Sequence, residues 1–403
     1  MDRRRFISAS GSIAAAGLVA GCVGDSSSDD GESGDGVNGP ITIGALEPTS
    51  GNFTPWGKAH LAGLEYGVEE INADGGVMGA DLELVTEDTE SDPTAATNSF
   101  RQMVERDDIT AATGPVSSDV GIQTSQVAQE VEVPMLLHMS GSTEAITPET
   151  RHTFRVGLHP ALSFIRAQAQ IIEDNGYENV AAITAEYAWG NSVQESIKSE
   201  IPVDVDIQTT SLGTSDFRPL IRQFPDDIEM VIATGHPPGT ISISSQMAGL
   251  NVTPEVTTGP SIPPGVLWNA LGETTVEVGQ THVHITDVYS SAFSDVASAY
   301  NEERDDRFST HHGYGYVTAQ AVAEAVRQAG TDDPTEVTAT IRNTELDTLF
   351  PEPLDYANTG EIASQRQLYS QFSPEAPDYA PDGSWSLKEF FRTDPLSAIP
   401  ADS

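Results

Sequence analysis

The chain has 403 residues, of which 61 are Asp or Glu and only 19 are Lys or Arg, so its formal net charge is -42 at pH 7. Such a field repels nucleic acid and anionic lipid, and we expect neither as a partner. The single cysteine, Cys22, excludes an intramolecular disulfide, while the length allows two sizeable domains. The acids are scattered and lysines are rare, which predicts a halophilic source, because roughly 1 M salt shortens the Debye length to about 3 Å.

The amino terminus has the pattern of an export signal. Residues 2–8 resemble a twin-arginine motif, and the apolar run that follows, residues 13–20, is too short to span a bilayer. The run ends in Leu-Val-Ala-Gly-Cys, which resembles a lipobox and predicts lipidation at Cys22. We predict a signal over residues 1–22 and a flexible acidic linker over residues 23–39. The alternative is an uncleaved signal anchor with a bystander cysteine.

The first part of the body alternates strand and helix patterns. Buried strands are predicted at residues 41–46, 82–85, 109–113 and 134–137. Apolar positions three and four residues apart predict the intervening helices, the first of them with Leu61, Leu64, Val68 and Ile71 on one face. Asp92 and Pro93 predict the cap and first turn of the second helix.

The same alternation resumes further along the chain. Strands are predicted at residues 180–184, 203–207 and 230–233, with helices centred near Ile165, Val193, Leu220 and Ser245. A late helix is predicted around residues 317–329. Alternating strands and helices favour parallel sheets covered by helices on both faces, and therefore two doubly wound α/β domains.

An ordered set of short motifs runs along nearly the whole body. It includes Ile-Thr-Ile-Gly at residues 41–44 and Glu-Ile-Asn-Ala-Asp-Gly-Gly-Val-Met-Gly at residues 70–79. Further motifs lie at residues 48–51, 56–58, 87–93, 113–118, 154–156, 187–190, 216–218 and 355–360. In this order they resemble the leucine/isoleucine/valine-binding family of ABC transporter solute-binding proteins, in its haloarchaeal lipoprotein type.

This resemblance implies a type I periplasmic-binding-protein fold, an α/β fold of two Rossmann-like lobes joined by a three-crossing hinge. The crossings are expected near Val156, Asp287 and Leu349. Lobe 1 is predicted to comprise residues 40–155 and 288–349. Lobe 2 is predicted to comprise residues 156–287 and 350–395. Solute would bind between the lobes, and the hinge would close over it.

The resemblance also implies how a solute carboxylate is held. Hydroxyls and backbone N–H groups at strand-to-helix turns suit a carboxylate, because helix N-termini carry unpaired donors and a positive dipole end. By position, Ser118 offers its hydroxyl, Ser140 its backbone groups, and Ser142 its hydroxyl and N–H. The alternative is that these serines are only caps and turns.

Aromatic residues are expected at the walls of the cleft. Trp56 and Trp189 fall where the family places cleft aromatics, one from each lobe, and a Trp face covers an alkyl chain or an ammonium group. Either could instead be a core residue. His236 occupies a turn that often carries an aromatic residue near the ligand in the family, which makes it a further candidate ligand-binding residue.

Ser261 departs from the family pattern. It stands where amino-acid binders have an acid that neutralises the ammonium group of the ligand, and burying an unpaired ammonium is costly. Either another acid, Glu47 or Glu186, replaces it, or the solute has no free amine. A short amide, a urea-like solute or a carboxylic acid then remains admissible.

Other chemistries find little support. No G-x-S-x-G nucleophile elbow occurs, and the only cysteine lies in the signal region. His282 and His284 share a strand face near His311 and His312, but without a clear third ligand we interpret all four as polar surface residues and expect no metal. We also expect no cofactor and no catalytic activity.

The sequence thus predicts a monomeric, lipid-anchored receptor on the extracellular face of the membrane. It would capture an amino acid or similar small solute and deliver it to ABC permease subunits. The alternative use of the same fold is a sensor lipoprotein that reports ligand to a chemotaxis transducer.

Overall fold

The computed structural model describes residue 37, residues 39–381 and residues 383–398. The predicted export signal, Cys22 and nearly all of the predicted linker lie outside the described residues. Among the helices that are described, none combines the length and apolar character needed to cross a bilayer.

The secondary structure alternates along the body as the patterns predict. The strands are β1 Ile41–Glu47, β2 Leu82–Asp88, β3 Ala111–Gly114, β4 Met135–Leu137, β5 Thr153–Arg155, β6 Val180–Ala185, β7 Val205–Thr210, β8 Met230–Thr234, β9 Val256–Thr258, β10 Thr281–His284, β11 Ser364–Gln365, β12 Leu368–Ser373, β13 Ser386–Arg392 and β14 Leu396–Ser397. The helices are α1 Thr54–Ala73, α2 Pro93–Asp107, α3 Ser118–Val131, α4 Ala161–Asn175, α5 Ala188–Glu200, α6 Arg218–Ile221, α7 Pro237–Gly249, α8 Pro264–Leu271, α9 Thr274–Glu277, α10 Ser291–Glu303, α11 Thr310–Ala329 and α12 Pro334–Asn343.

The first sheet is parallel, with strand order β2-β1-β3-β4-β5. Strand β1, which lies between β2 and β3, is buried along its whole length. Ile41 and Ile43 join one apolar cluster, whereas Leu46 joins another with Phe100 and Met103 of α2. Because neighbouring side chains point to opposite faces of a strand, both faces of this sheet are covered.

The second sheet repeats this arrangement with strand order β7-β6-β8-β9, again parallel. Ala182 of β6 packs into the large cluster shared with the first sheet, and Ala181 and Ile183 pack into a separate cluster with Phe217. The prediction of two doubly wound sheets is confirmed. The strand predicted at residues 203–207 is displaced, since β7 begins at Val205.

A third sheet was not predicted from the sequence. Strands β10, β12 and β13 form an antiparallel sheet in which His284 of β10 pairs with Leu368 of β12. The chain therefore returns after α12 to strands that pair with residues far earlier in the sequence. The lobe boundaries given above are compatible with this connectivity and stay a prediction.

Helices α1 and α11 pack backbone against backbone. A Cβ atom at Gly63 of α1 would overlap the carbonyl of His312, and one at Gly315 of α11 would overlap the carbonyl of His60. Only glycine permits so close an approach at these two positions. The two helices are therefore in close backbone contact at two points along their length.

Candidate functional site

A small inner cavity lies beyond the carboxyl ends of strands from both parallel sheets. It offers about 30 Å³, room for about one water molecule and too little for an amino acid, because contacts such as Trp56–Ser261 and Ser142–Ser192 hold the two sides together. None of its lining side chains is charged. They are Phe53, Trp56, Val116, Ser117, Ser118, Met139, Leu158, Tyr187, Trp189 and Pro260.

An outer groove of about 660 Å³ runs between α2 and α3 on one side and α5 on the other. Tyr187 borders both the groove and the inner cavity. Three carboxylates line the groove, those of Asp119, Glu144 and Glu195. Acidic side chains therefore stand at the mouth of the site and are absent from the lining of its inner cavity.

The predicted serines form one hydrogen-bonded group beside α3. Ser118 opens that helix and lines the cavity, and its hydroxyl accepts a hydrogen bond from the Ser142 backbone N–H at 3.1 Å. The Ser142 hydroxyl lies 3.3 Å from that of Ser192 on α5, which joins the two sides of the cleft. Ser140 and Ser142 stand behind the lining, so only Ser118 of the three faces the cavity directly.

The turn that carries these serines is anchored by a buried ion pair. The Arg155 guanidinium donates to the Ser140 carbonyl at 2.5 Å and makes two hydrogen bonds, of 2.6 and 2.8 Å, to the Glu361 carboxylate. Both side chains are essentially inaccessible to solvent. Sequence reasoning did not single out this pair, although both residues lie in or beside motifs that carry the resemblance.

Both predicted tryptophans line the cavity. The Trp56 indole N–H donates to the Ser261 carbonyl at 2.6 Å. The indole nitrogen of Trp189 is buried and has no hydrogen-bond partner among the described residues. A Cβ atom at position 141 would come within 2.7 Å of that nitrogen, which explains the glycine there. Trp189 thus lines the cavity, while its indole N–H lies beside the Gly141 turn without a partner among the described residues.

His236 lies beside the lining. Its ring packs edge-on against Phe53 and Tyr187, with centroid separations of 5.0 and 5.2 Å. Its backbone φ of 65° is unusual for a residue with a side chain and holds the ring in this position. Burial lowers the pKa of the His236 imidazole. His236 therefore supports two lining aromatics and does not itself line the cavity.

Ser261 faces away from the cavity. Its hydroxyl donates to the Val283 carbonyl at 2.7 Å, and its own carbonyl accepts from both Trp56 and the His311 ring, the latter at 3.1 Å. The neighbouring Pro260 occupies the lining instead. Ser261 consequently contributes a backbone acceptor that joins the two sides of the cleft.

The two acids considered as replacements for a charge at Ser261 do not line the cavity. Glu186 is exposed. Glu47 is fully buried and contacts two histidines, His60 at 2.9 Å and His138 at 3.2 Å. Burial raises the pKa of Glu47, but its two histidine neighbours, His138 first and then His60, outweigh burial and lower it to about 2.

The interpretation of four histidines as surface residues is wrong. His282, His284, His311 and His312 are all buried, with at most 3% of the residue exposed. His282 and His284 stack at 5.3 Å, and burial followed by the charges of His284 and His311 lowers the pKa of His282 well below its usual value. Local alternation on β10 did not reveal that α11 covers this strand face.

The chain has two parallel sheets covered by helices, with a cleft beyond the carboxyl ends of their strands. The cleft has aromatic walls and a hydroxyl at a helix N-terminus. These features define a solute-binding protein. A family model described as periplasmic binding protein matches residues 40–370, and the chain belongs to that family. The type I periplasmic-binding-protein fold and the resemblance to branched-chain amino acid-binding members are confirmed.

Three comparisons give the range of similar proteins. A Leu/Ile/Val-binding protein of Rhizobium johnstonii is 22% identical over 81% of this chain and 89% of its own length. A chemotactic signal transduction system substrate-binding protein of Halobacterium salinarum is 27% identical over 60% of this chain and 62% of its own. The crystal structure of an ABC transporter solute-binding protein from R. palustris in complex with benzoate has a TM-score of 0.73 and 17% identity, covering 90% of this chain and 99% of that one.

Proposed function

We propose that this chain is the extracellular receptor of an ABC importer, which closes its two lobes on an amino acid or amino-acid-like solute and hands it to a membrane permease. The observation that carries the proposal is the lining of the inner cavity, which combines aromatic walls with the hydroxyl of Ser118 at the N-terminus of α3. The cleft must widen around this lining to admit a solute, because the cavity as it stands offers only about 30 Å³. In this role it acts as a monomer, is lipid-anchored through Cys22, and turns over no substrate.

The carboxylate half of a solute fits the Ser118 side of the cavity. The N-cap residue of α3, Ser117, does not cap the helix with its side chain, which leaves first-turn amides to meet an anion. The free indole N–H of Trp189 supplies a further donor from the opposite side. Hydroxyl, amide and indole donors together suit a carboxylate without requiring a cationic side chain.

Among the described residues, the inner cavity offers no carboxylate to neutralise the ammonium group of an amino acid. This lining favours solutes without a free amine. No carboxylate lines the inner cavity, and the nearest groove acids stand at its mouth. The benzoate complex of the related protein supports the idea that this fold accommodates a carboxylate with an apolar body and no ammonium. A carboxylic acid is therefore the second candidate ligand beside the amino acids.

Titration with four small molecules tests the proposal. Leucine, leucinamide, 4-methylpentanoate and benzoate would be added to the protein in high salt, with tryptophan fluorescence and melting temperature as the readouts. We expect one molecule bound per chain, with quenching of Trp56 or Trp189, and tighter binding of the two acids than of leucinamide. If no member of the panel and no other amino acid, amide or urea shifts either readout, the receptor proposal fails.

Replacing Ser118 with Ala is expected to weaken binding of a carboxylate by about tenfold or more, because a hydrogen bond to a charged group contributes roughly 1.5–3 kcal/mol. Calorimetry with the tightest acid from the panel measures the change. Ser199→Ala is the matched control, since Ser199 is an exposed serine on α5. If Ser118→Ala and Ser199→Ala bind the acid equally tightly, the Ser118 hydroxyl does not bind the carboxylate.

A sensory role is the second candidate function. It is favoured by the similarity to the chemotactic substrate-binding protein of Halobacterium salinarum. Deleting the gene for this chain separates the two roles: loss of solute uptake with intact chemotaxis supports transport, and the reverse supports sensing.

A further inference from the structure

A buried cluster of one carboxylate and two imidazoles lies at the carboxyl edge of the first sheet. Glu47 ends β1, His138 directly follows β4, and His60 projects from α1 one turn after Trp56. All three residues are fully buried. The site described above uses none of these side chains, so the cluster needs an explanation of its own.

The hydrogen bonds around His60 leave one of its close polar contacts without a proton to share. Thr318 donates its only hydroxyl proton to the Tyr314 carbonyl at 2.9 Å, so at 3.3 Å it accepts from Nε2–H of His60. The other ring nitrogen, Nδ1, is 2.9 Å from Oε1 of Glu47, yet neither atom has a hydrogen-bond partner of good geometry among the described residues. In a neutral imidazole with its proton on Nε2, this contact brings two lone pairs together.

We infer that Glu47, His60 and His138 form a binding site for a divalent transition-metal ion of the Zn²⁺ class. A cation between Nδ1 of His60 and Oε1 of Glu47 turns the unfavourable contact into two coordinate bonds. Two imidazoles and a carboxylate are a ligand set that Zn²⁺ takes, with a fourth position left for water. Imidazole disfavours the hard ions Mg²⁺ and Ca²⁺.

The separations within the cluster suit such an ion. One ligand atom from each residue lies within 4.8 Å of the others, and the two measured contacts with Glu47 are 2.9 and 3.2 Å. Bonds of about 2.0–2.1 Å in a tetrahedral site place ligand atoms roughly 3.3 Å apart. Thr318 also provides the outer hydrogen bond that fixes the tautomer of a ligating histidine.

Binding requires one local adjustment. The rings of His60 and His138 stack at 3.7 Å with planes 17° apart, and parallel rings do not both aim in-plane lone pairs at one ion. The rings must rotate apart, and His138 must carry its proton on Nδ1, which has no partner among the described residues.

The site lies directly beneath the solute cavity. Met139, the neighbour of His138, and Trp56, one turn before His60, both line that cavity. A bound ion would tie β1, β4 and α1 together under the cavity floor. This role is structural and goes beyond the proposed receptor function, so metal binding and solute binding can be measured separately.

Metal analysis of the chelator-stripped full chain tests the inference. The protein would be incubated with ZnCl₂ or CoCl₂ near neutral pH in high salt and passed over a desalting column, and its metal content and melting temperature would be measured. We expect one retained equivalent per chain, a raised melting temperature, and the intense visible absorption of tetrahedral Co²⁺ with nitrogen ligands. His60→Gln and His138→Gln should bind at least about tenfold more weakly.

His282→Gln is the matched control, because His282 is equally buried but lies outside the cluster; it should retain the ion. Retention of no equivalent by the wild-type chain overturns the inference. Unchanged uptake of the metal ion by both His60→Gln and His138→Gln also overturns it, because the ion would then be bound by surface carboxylates. If a variant fails to fold, the spectrum of Co²⁺ bound to the wild-type chain still tests the inference. Weak absorption typical of octahedral Co²⁺ would show that the ion is not in the histidine cluster.

Discussion

Replacing Glu361 with Gln is expected to lower the free energy of unfolding by about 3–5 kcal/mol, one of the largest effects of any single substitution in this protein. The Arg155 guanidinium is fully buried and pairs with Glu361 through two hydrogen bonds. Removing the carboxylate charge leaves a buried cation with no counter-charge. Chemical unfolding in high salt measures the loss.

The same substitution should weaken solute binding. Arg155 also holds the Ser140 carbonyl, and so fixes the turn from which Ser142 donates to Ser118. Glu375→Gln is the control, since Glu375 pairs with Lys388 on the exposed surface and its loss should change little. If the two variants unfold at the same denaturant concentration, the buried Arg155–Glu361 pair does not stabilise the fold more than the exposed Lys388–Glu375 pair does.

Acidification is expected to destabilise the protein strongly between about pH 6.5 and pH 4. Burial lowers the pKa of His159 to about 3, aided by the charge of Arg155, and burial lowers the pKa of His284 to about 4. In the unfolded chain both residues titrate near 6.5, so in this window the unfolded state binds more protons than the folded state, and stability falls as the pH falls. The loss is on the order of 3 kcal/mol for each histidine by pH 4.

Thermal melts from about pH 8 to pH 4 measure this slope, and high salt keeps the change in net charge from masking it. His159→Leu should flatten the slope, because Nε2 of His159 has no partner among the described residues and an apolar side chain suits its surroundings. His152→Gln, at a half-buried position, should change the slope less. Stability that stays level on acidification would contradict the prediction.

Local sequence patterns were sufficient to predict the strands and helices of the two parallel sheets. The apolar run of β1 and the Asp92–Pro93 pair define elements within a few residues, and the Asp92 side chain indeed caps α2 by accepting from the Ala95 N–H at 2.7 Å. The antiparallel sheet escaped prediction because β10 and β12 are joined by pairing between residues such as His284 and Leu368. Periodicity reports which face a strand buries but not which distant strand lies beside it.

The functional residues also fall into two groups: those that a local motif predicts and those that only the folded sheet brings together. Ser118, Trp56 and Trp189 could be predicted because each sits in a short motif at a strand end, and each lines the cavity. Glu47 and His138 are 91 positions apart and meet only because β1 and β4 flank β3 in one sheet. Residue types alone likewise placed the buried histidines on the surface, since histidine is compatible with either environment.

The packed helix pair α1 and α11 bears on how the cleft opens. Trp56 stands on α1 and His311 on α11, and both donate to the one carbonyl of Ser261 across the cleft. The two helices approach each other too closely for a side chain at Gly63 or Gly315, so we expect them to move together. Moving Ser261 away from both helices then costs two hydrogen bonds at one acceptor, and this carbonyl resists opening of the cleft more than a contact with a single donor would.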